Sequence, residues 1–240
     1  MLKLKGKVAV LTGGEGPLGR AVTKKFLEEG AKVVIGWYSH EEWEDASSLV
    51  GKKYREQIIG IQVDATKEGQ VKNLMERAED AFGSINILLH MVGGGLIPEE
   101  LVWNTDNNDW DRLYEVRLKS AFLCSKHAIK VMLKNKHGRI VFFHSGRHLR
   151  PRPKASISAV ASAGLDALKN ILAEELAGTG ITVNCAVMLA PIDTWKTRAV
   201  GSFNLRKMIK TSAIADVLCD LCSNVGDVLS GGTISFVYSP

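Results

Sequence analysis

Seven short segments rich in β-branched and other apolar residues recur along the chain, and amphipathic helical patterns separate most of them. Each segment has the length of a buried strand. Strands that alternate with helices form right-handed βαβ units, whose parallel sheet is covered by helices on both faces. The predicted strands are Val8–Thr12, Lys32–Ile35, Ile58–Val63, Ile87–Met91, Ile140–His144, Thr182–Val187 and Thr233–Val237.

The same pattern predicts one domain over residues 1–240, because no composition shift, low-complexity tract or fixed-period repeat marks a boundary. We expect a doubly wound α/β fold, with a seven-stranded parallel sheet and helices on both faces. Two local signals refine the helix starts. Ser39 with Glu42 three residues later is typical of a capping box, and Thr66 is expected to cap the helix that follows it.

Composition excludes several classes of function. The net charge is only +5, and this small excess of basic residues either favours an anionic ligand or is spread over solvated helix faces. Basic and aromatic residues are not interleaved, so no nucleic-acid partner is expected. No long apolar run predicts a membrane span. The pair Cys219 and Cys222 has no further zinc ligands nearby in sequence, so we expect no metal site, and the few cysteines favour a cytoplasmic location.

A glycine-rich turn follows the first predicted strand and leads directly into a helix. It reads Thr12-Gly13-Gly14-Glu15-Gly16-Pro17-Leu18-Gly19. Glycines let the backbone approach a pyrophosphate, and the helix N-terminus supplies free N–H groups and the positive end of its dipole. The turn predicts a dinucleotide site whose binding residues include Gly13, Gly16, Leu18 and Gly19.

These motifs resemble those of the short-chain dehydrogenase/reductase family, which are oxidoreductases with a Rossmann fold. Thr12-Gly13 with Gly19 is similar to the family turn T-G-x-x-x-G-x-G. Val63-Asp64-Ala65-Thr66 is similar to the segment that follows the third strand, and Gly93 and the segment Arg139–Ser145 continue the resemblance. The similarity covers essentially the whole chain.

The resemblance implies an NAD or NADP cofactor and assigns positions around it. Asp64 would accept a hydrogen bond from the adenine amino group, although a carboxylate here also suits capping of the next helix. Ala65 would lie beside Asp64, and Gly93 would follow the fourth strand near the cofactor. Thr194 would contact the nicotinamide amide.

The nucleotide end departs from the family pattern in two places. Pro17 replaces the middle glycine; it lacks an N–H, but it is well tolerated as the first residue of a helix. The second strand ends without the acid that binds the NAD ribose or the arginine that binds the NADP 2′-phosphate. Trp37 there either stacks on adenine or covers the sheet edge. Glu15 would repel a 2′-phosphate, which favours NAD slightly.

The catalytic positions depart further. In the family a tyrosine acts as acid and base, a lysine one turn later lowers its pKa, a serine orients the carbonyl, and an asparagine supports proton relay. These positions fall on Ser158, Ser162, Ser145 and Arg117 respectively, so only Ser145 is retained. A serine hydroxyl is too weak an acid to replace an activated phenol. We therefore expect no ordinary hydride transfer between ketones and alcohols.

Three functions remain open. The chain is a divergent dinucleotide-binding protein without standard activity, an NAD(P)-dependent oxidoreductase that uses His144, His148 or Arg117 instead, or a structural or regulatory subunit. The helices predicted over Asp106–Asn135 and Ser156–Ala177 form interfaces in the family, which predicts a homo-oligomer, either a dimer or a tetramer.

Other polar residues near the same edge of the sheet have two interpretations each. Basic residues after the fifth predicted strand, including Arg147 and Arg152, either bind a phosphate or carboxylate or form a solvated loop. His90 is either catalytic or a hydrogen-bonded structural histidine. The tyrosines expected nearest to the site are Tyr114 and Tyr38.

Overall fold

The computed structural model describes residues 2–50, 52–93, 99–201 and 204–238, so the ends of the predicted 1–240 domain lie outside these ranges. The strands are β1 (Val8–Thr12), β2 (Lys32–Trp37), β3 (Ile58–Gln62), β4 (Ile87–His90), β5 (Gly138–Ser145), β6 (Ile181–Met188), β7 (Ile192–Asp193), β8 (Ile209–Lys210) and β9 (Thr233–Phe236). Seven of them form one sheet in the order β3-β2-β1-β4-β5-β6-β9. Every neighbouring pair in it is parallel, which confirms the predicted fold.

Helices cover both faces of this sheet, so all residues of the interior strands β1 and β6 are buried. The helices are α1 (Pro17–Glu28), α2 (His40–Val50), α3 (Glu68–Phe82), α4 (Asn107–Leu113), α5 (Ser120–Asn135), α6 (Ser156–Glu175), α7 (Trp195–Val200) and α8 (Thr211–Cys222). One core cluster packs α1 and α8 against the sheet, and the other packs α3, α5 and α6 against its opposite face. None of the helices in the described ranges is both long and apolar enough to cross a membrane.

The structure corrects two local expectations. Thr66 does not cap α3, which begins after Lys67; instead, the backbone N–H and the hydroxyl of Thr66 both donate to Asp64 Oδ1. The helix predicted over Asp106–Asn135 contains a π-helical segment, Tyr114–Lys119, between α4 and α5. Such segments widen one turn and often occur at functional sites. The Ser39 cap is confirmed, because Ser39 Oγ accepts from the Glu42 N–H at 3.4 Å.

The small elements near the C-terminus were not predicted. Strands β7 and β8 pair in parallel outside the main sheet, and α8 follows β8 directly. Cys219 and Cys222 both lie buried on α8 and are free thiols. The strand order reverses between β1 and β4, so the loops after these two strands diverge. This divergence opens a crevice at the carboxyl edge of the sheet.

Candidate active site

A cleft of about 840 Å³ lies at this carboxyl edge, which is a volume suited to a small-molecule ligand. All predicted cofactor residues except Trp37 line it: Gly13, Glu15, Gly16, Leu18, Gly19, Asp64, Ala65, Gly93 and Thr194. The structure thus brings together residues that are distributed over most of the chain.

The glycine-rich turn has the geometry of a phosphate cradle. Gly13 has a φ of +73°, which favours glycine. A Cβ at Gly19 would lie 2.5 Å from the backbone of Gly14, so only glycine allows α1 to pack this closely on the turn. Pro17 opens α1 without strain, and Gly16 provides no side-chain cap. The remaining N–H groups of the first turn are therefore available for an anion, and the turn fits a pyrophosphate.

Glu15 places a carboxylate at the end of β2. Its Oε1 accepts from the Tyr38 N–H at 3.0 Å, and its buried Oε2 has no hydrogen-bond partner among the described residues. Burial raises the pKa of Glu15, and the Tyr38 hydrogen bond opposes that rise. A carboxylate from the glycine-rich turn therefore lies next to the end of β2, whose own sequence lacks an acid. A free buried acceptor at this position fits a ribose hydroxyl.

An ion pair that the sequence analysis did not find also lines the cleft. Lys196 of α7 contacts the carboxylate of Glu42 in α2, although the two residues are 154 positions apart. Arg20 lies beside this pair, where its Nε donates to the Glu15 carbonyl at 2.9 Å and its Nη2 to the Glu42 carbonyl at 3.2 Å. Only the fold brings these segments together, so no local pattern could have indicated them.

Trp37 packs on the sheet edge rather than lining the cleft. Its ring stacks on Trp43 with centroids 6.0 Å apart and planes 3° from parallel, and on His40 with centroids 5.7 Å apart. Trp43 in turn covers Gly60, where a Cβ would lie 2.2 Å from the indole ring. This arrangement favours the interpretation of Trp37 as a packing residue.

Asp64 lies two residues after β3, where it is half-buried and held in the cleft wall by local hydrogen bonds. Its Oδ1 accepts from the Thr66 N–H at 2.9 Å and from the Thr66 hydroxyl at 2.7 Å. Its own N–H donates to Gln70 Oε1 at 2.7 Å. One carboxylate oxygen is therefore engaged locally, in a turn that precedes α3.

The four predicted catalytic positions lie together as two hydrogen-bonded pairs. Ser145 Oγ at the end of β5 is 3.3 Å from Ser162 Oγ on α6. Arg117 in the π-helical segment donates from Nη1 to Ser158 Oγ at 3.0 Å and from Nε to the Gly93 carbonyl at 2.9 Å. Burial, reinforced by the charge of Arg147, lowers the pKa of Arg117 to about 10.

The histidines near this edge have structural contacts. His90 is fully buried and bonded through Nδ1 to Thr12 Oγ1 at 2.8 Å and through Nε2 to Ser120 Oγ at 3.1 Å. Burial lowers its pKa to about 3, so the ring is neutral. His144 donates from Nδ1 to the Ser145 carbonyl at 3.0 Å and lies outside the cleft lining. These contacts favour structural roles for both rings.

The basic residues after β5 and the two tyrosines predicted near the site form no side-chain hydrogen bond with the serines at the catalytic positions among the described residues. Arg147 and Arg152 both contact the carboxylate of Glu99, so part of the basic loop is neutralised within the chain. Tyr38 is mostly exposed and Tyr114 is about half exposed. In the described part of the chain, neither phenol is hydrogen-bonded to the serines at the catalytic positions.

Comparisons with known proteins agree with this architecture. A family model of the short chain dehydrogenases matches residues 7–204. The chain is 33% identical to a short-chain type dehydrogenase/reductase of Picea abies, over 93% of this chain and 88% of that protein. It is 34% identical to a chloroplastic NADPH-dependent aldehyde reductase-like protein of Arabidopsis thaliana, over 80% of this chain and 75% of that protein.

A solved structure extends the agreement to the whole fold. A short chain dehydrogenase from Bacillus anthracis superposes with a TM-score of 0.86 at 27% identity, covering 98% of this chain and 96% of that one. The chain therefore belongs to the short-chain dehydrogenase/reductase family of NAD(P)-binding oxidoreductases.

Proposed function

We propose that this protein binds a nicotinamide dinucleotide but does not catalyse the family's ordinary carbonyl reduction. The observation that carries this proposal is the pairing of Ser145 with Ser162 and of Ser158 with Arg117. Two hydroxyls, those of Ser158 and Ser162, stand where the family has a phenol and an ammonium, and the guanidinium of Arg117 stands at the asparagine position. A serine hydroxyl without an adjacent base holds its proton too strongly to act as the matched acid at neutral pH.

The cleft fits the cofactor at its phosphate and ribose ends. Gly13, Gly16 and Gly19 would hold the pyrophosphate against α1, and Asp64 with Ala65 would hold the adenine. Gly93 and Thr194 would contact the nicotinamide half. When bound, the nicotinamide would be able to supply or accept a hydride, and the residues of this chain would bind and orient it.

We further propose a preference for NAD(H) over NADP(H). Glu15 Oε2 is a buried acceptor without a partner in the described ranges, so it can accept from a ribose 2′-hydroxyl. A 2′-phosphate at the same place would meet the Glu15 carboxylate and the neighbouring Glu42. The ammonium of Lys196 offsets part of this repulsion because it is paired with Glu42.

Calorimetric titration with NAD, NADH, NADP and NADPH, followed by an assay on aldehydes and ketones, tests the proposal. We expect micromolar binding of NAD or NADH, weaker binding of the phosphorylated forms, and no substrate-dependent turnover. Absence of binding for all four dinucleotides would overturn the cofactor assignment. Turnover by the wild-type protein would overturn the assignment of an inactive site.

A second candidate is an oxidoreductase that uses Arg117 in place of the missing acid. Its motivation is the Arg117 pKa of about 10 together with the 3.0 Å hydrogen bond to Ser158. In this candidate Ser158 gives its proton to the substrate oxygen and takes one from the Arg117 Nη1. The variant Arg117→Gln keeps hydrogen-bonding capacity but cannot supply that proton. Turnover that is lost in Arg117→Gln would support this candidate, and unchanged turnover would exclude it.

We also propose that the chain forms a homo-oligomer through α5 and α6. Phe122 on α5 and Val160 and Ile171 on α6 are large apolar side chains that are about half exposed. Apolar groups of this size are typical of protein interfaces when they cluster on a surface. Light scattering after size exclusion should give the mass of a dimer or tetramer, and a monomer at micromolar concentration would contradict the proposal.

A further inference from the structure

A second polar cluster lies outside the cleft lining, between β5, β6 and α6. Its members are His144 at the end of β5, His148 in the following loop, Asp166 on α6 and Cys185 in the middle of β6. His144 and Cys185 are buried and Asp166 is partly buried. Four side chains that commonly bind metal ions therefore meet beneath α6.

The distances within this cluster approach those of a metal site. One ligand atom each from His144, Asp166 and Cys185 lies within 4.8 Å of the others. His144 Nε2 is 3.9 Å from Asp166 Oδ1, and His148 Nε2 is 2.5 Å from Asp166 Oδ2. Tetrahedral zinc, with bonds of about 2.0–2.3 Å, spaces its ligand atoms roughly 3.3–3.7 Å apart. The ligand atoms of the first three residues would need to move inward by only about 1 Å.

The orientation of His144 provides an independent sign of a ligand. Its Nδ1 donates to the Ser145 carbonyl at 3.0 Å, which leaves Nε2 as an unprotonated acceptor. This Nε2 is buried, has no hydrogen-bond partner within the described ranges, and faces the other members of the cluster. A metal-ligating histidine usually donates its second ring N–H to a carbonyl or carboxylate in this way. An unpartnered buried acceptor otherwise destabilises the fold.

We propose that His144, Asp166 and Cys185 bind one zinc ion, with His148 as the fourth ligand. A thiolate, a carboxylate and two neutral imidazoles together balance the two charges of Zn²⁺, and the mixture of nitrogen, oxygen and sulfur suits this metal. As the zinc–sulfur bond forms, the Cys185 thiol loses its proton to water, and no atom changes its oxidation state.

The positively charged side chain of Lys169 lies next to the proposed zinc site. Its buried ammonium donates to Thr233 Oγ1 at 2.9 Å and lies 3.7 Å from Asp166 Oδ1. Thr233 Oγ1 also donates to Asp166 Oδ1, at 3.2 Å. Both groups contact Oδ1, so Oδ2 is the carboxylate oxygen that remains for the ion; His148 Nε2, which is 2.5 Å from Oδ2, would need to move away from it by about 1 Å to bind the same ion. Outer contacts of this kind usually accompany metal-ligating carboxylates.

The proposed ion would fix the loop after β5 to α6 and β6. His144 directly precedes Ser145, and Asp166 lies about one helical turn after Ser162. Zinc would thus fix the positions of both Ser145 and Ser162 through their neighbours in the chain, without itself lining the cleft. This role does not depend on cofactor binding or on turnover.

The test uses the full chain without an affinity tag, first stripped with a chelator and then titrated with Zn²⁺ or Co²⁺. We expect about one metal ion per chain, a higher melting temperature with Zn²⁺, and a thiolate-to-cobalt charge-transfer band in the near ultraviolet. Cys185→Ala should abolish the band, and His144→Gln should weaken binding by at least about 100-fold. The matched control Cys219→Ala removes another buried thiol and should bind like the wild type.

Two outcomes would overturn the proposal. The first is a wild-type protein that shows no charge-transfer band and no change in melting temperature on either chelation or zinc addition; this arm needs no variant and is unaffected by folding defects. The second is binding that persists in Cys185→Ala but is lost in Cys219→Ala, which would assign the metal to the cysteine pair on α8.

Discussion

Arg117 donates from Nη1 to Ser158 Oγ at 3.0 Å, while its Nε donates to the Gly93 carbonyl at 2.9 Å. The guanidinium therefore links the π-helical segment, the loop after β4 and α6 across the catalytic positions. Because Arg117 Nη1 lies only 3.0 Å from Ser158 Oγ, we expect a larger side chain at position 158 to collide with the guanidinium. The replacements at the catalytic positions are thus coupled to one another.

This coupling predicts the order in which activity can be restored. The double variant Ser158→Tyr/Ser162→Lys returns the family's acid and cation but leaves the guanidinium against the new phenol, so we expect little turnover. Adding Arg117→Asn removes the collision and should raise turnover of an aldehyde at least about 100-fold, the typical contribution of general acid catalysis. Initial rates of the double and the triple variant, measured at saturating cofactor, test this prediction. Equal rates for the double and triple variants would refute the coupling.

Gly19→Ala should disrupt the nucleotide cradle. The new Cβ would lie 2.5 Å from the Gly14 backbone, so we expect a loss of about 1–3 kcal/mol in the free energy of unfolding and at least tenfold weaker dinucleotide binding. Gly69→Ala is the matched control, because no atom lies within 4 Å of a Cβ there on α3. Urea denaturation and calorimetry check the pair, and equal effects at the two positions would count against the assigned cradle.

Glu15→Gln should shift cofactor preference toward NADP(H). The change removes a buried negative charge but keeps an acceptor for the Tyr38 N–H. The ratio of the Kd for NADP to the Kd for NAD should fall on the order of 10-fold, because a nearby unit charge contributes about 1 kcal/mol or more. Glu41→Gln, at an exposed residue of α2, should leave the ratio unchanged. An unaltered ratio in Glu15→Gln would place Glu15 away from the ribose.

His90 makes the stability of the fold sensitive to acid. Burial lowers its pKa to about 3 in the folded chain, against about 6.5 when unfolded. The unfolded chain therefore binds more protons than the folded chain below pH 6.5. The titration of His90 leaves the free energy of unfolding unchanged above pH 6.5 and lowers it progressively as the pH drops toward 3. Between pH 6 and 4, His90→Gln should reduce the slope of unfolding free energy against pH by up to about 1.4 kcal/mol per unit. The control His40→Gln, at an exposed histidine, should retain the wild-type slope in the same denaturation series.

The sequence was sufficient for the sheet and for most of the cleft wall, since both are encoded locally. Strand patterns and the glycine-rich turn depend on residues close together in the chain, and Gly13, Gly19 and Asp64 lie where those patterns put them. Contacts between distant segments were not accessible. Glu42 and Lys196 pair only because the fold brings the start of α7 next to α2.

Side-chain orientation was the other limit of sequence analysis. From the sequence, Trp37 was equally compatible with adenine stacking and sheet packing; in the folded chain its stacking on Trp43 favours packing. Likewise, the search for zinc ligands near Cys219 and Cys222 could not reveal that His144 and Cys185, on neighbouring strands, face Asp166 of α6. Local spacing gives no information on such a cluster.

The most direct test of the central claim is an assay of the wild-type protein saturated with reduced cofactor on a panel of aldehydes and ketones. Substrate-dependent loss of nicotinamide absorbance is the measured quantity. We predict that binding is detected by calorimetry in the same sample while absorbance decays no faster than without substrate. Turnover that depends on substrate and disappears in Ser145→Ala would contradict the account, because it would require a working proton donor at the serine and arginine positions.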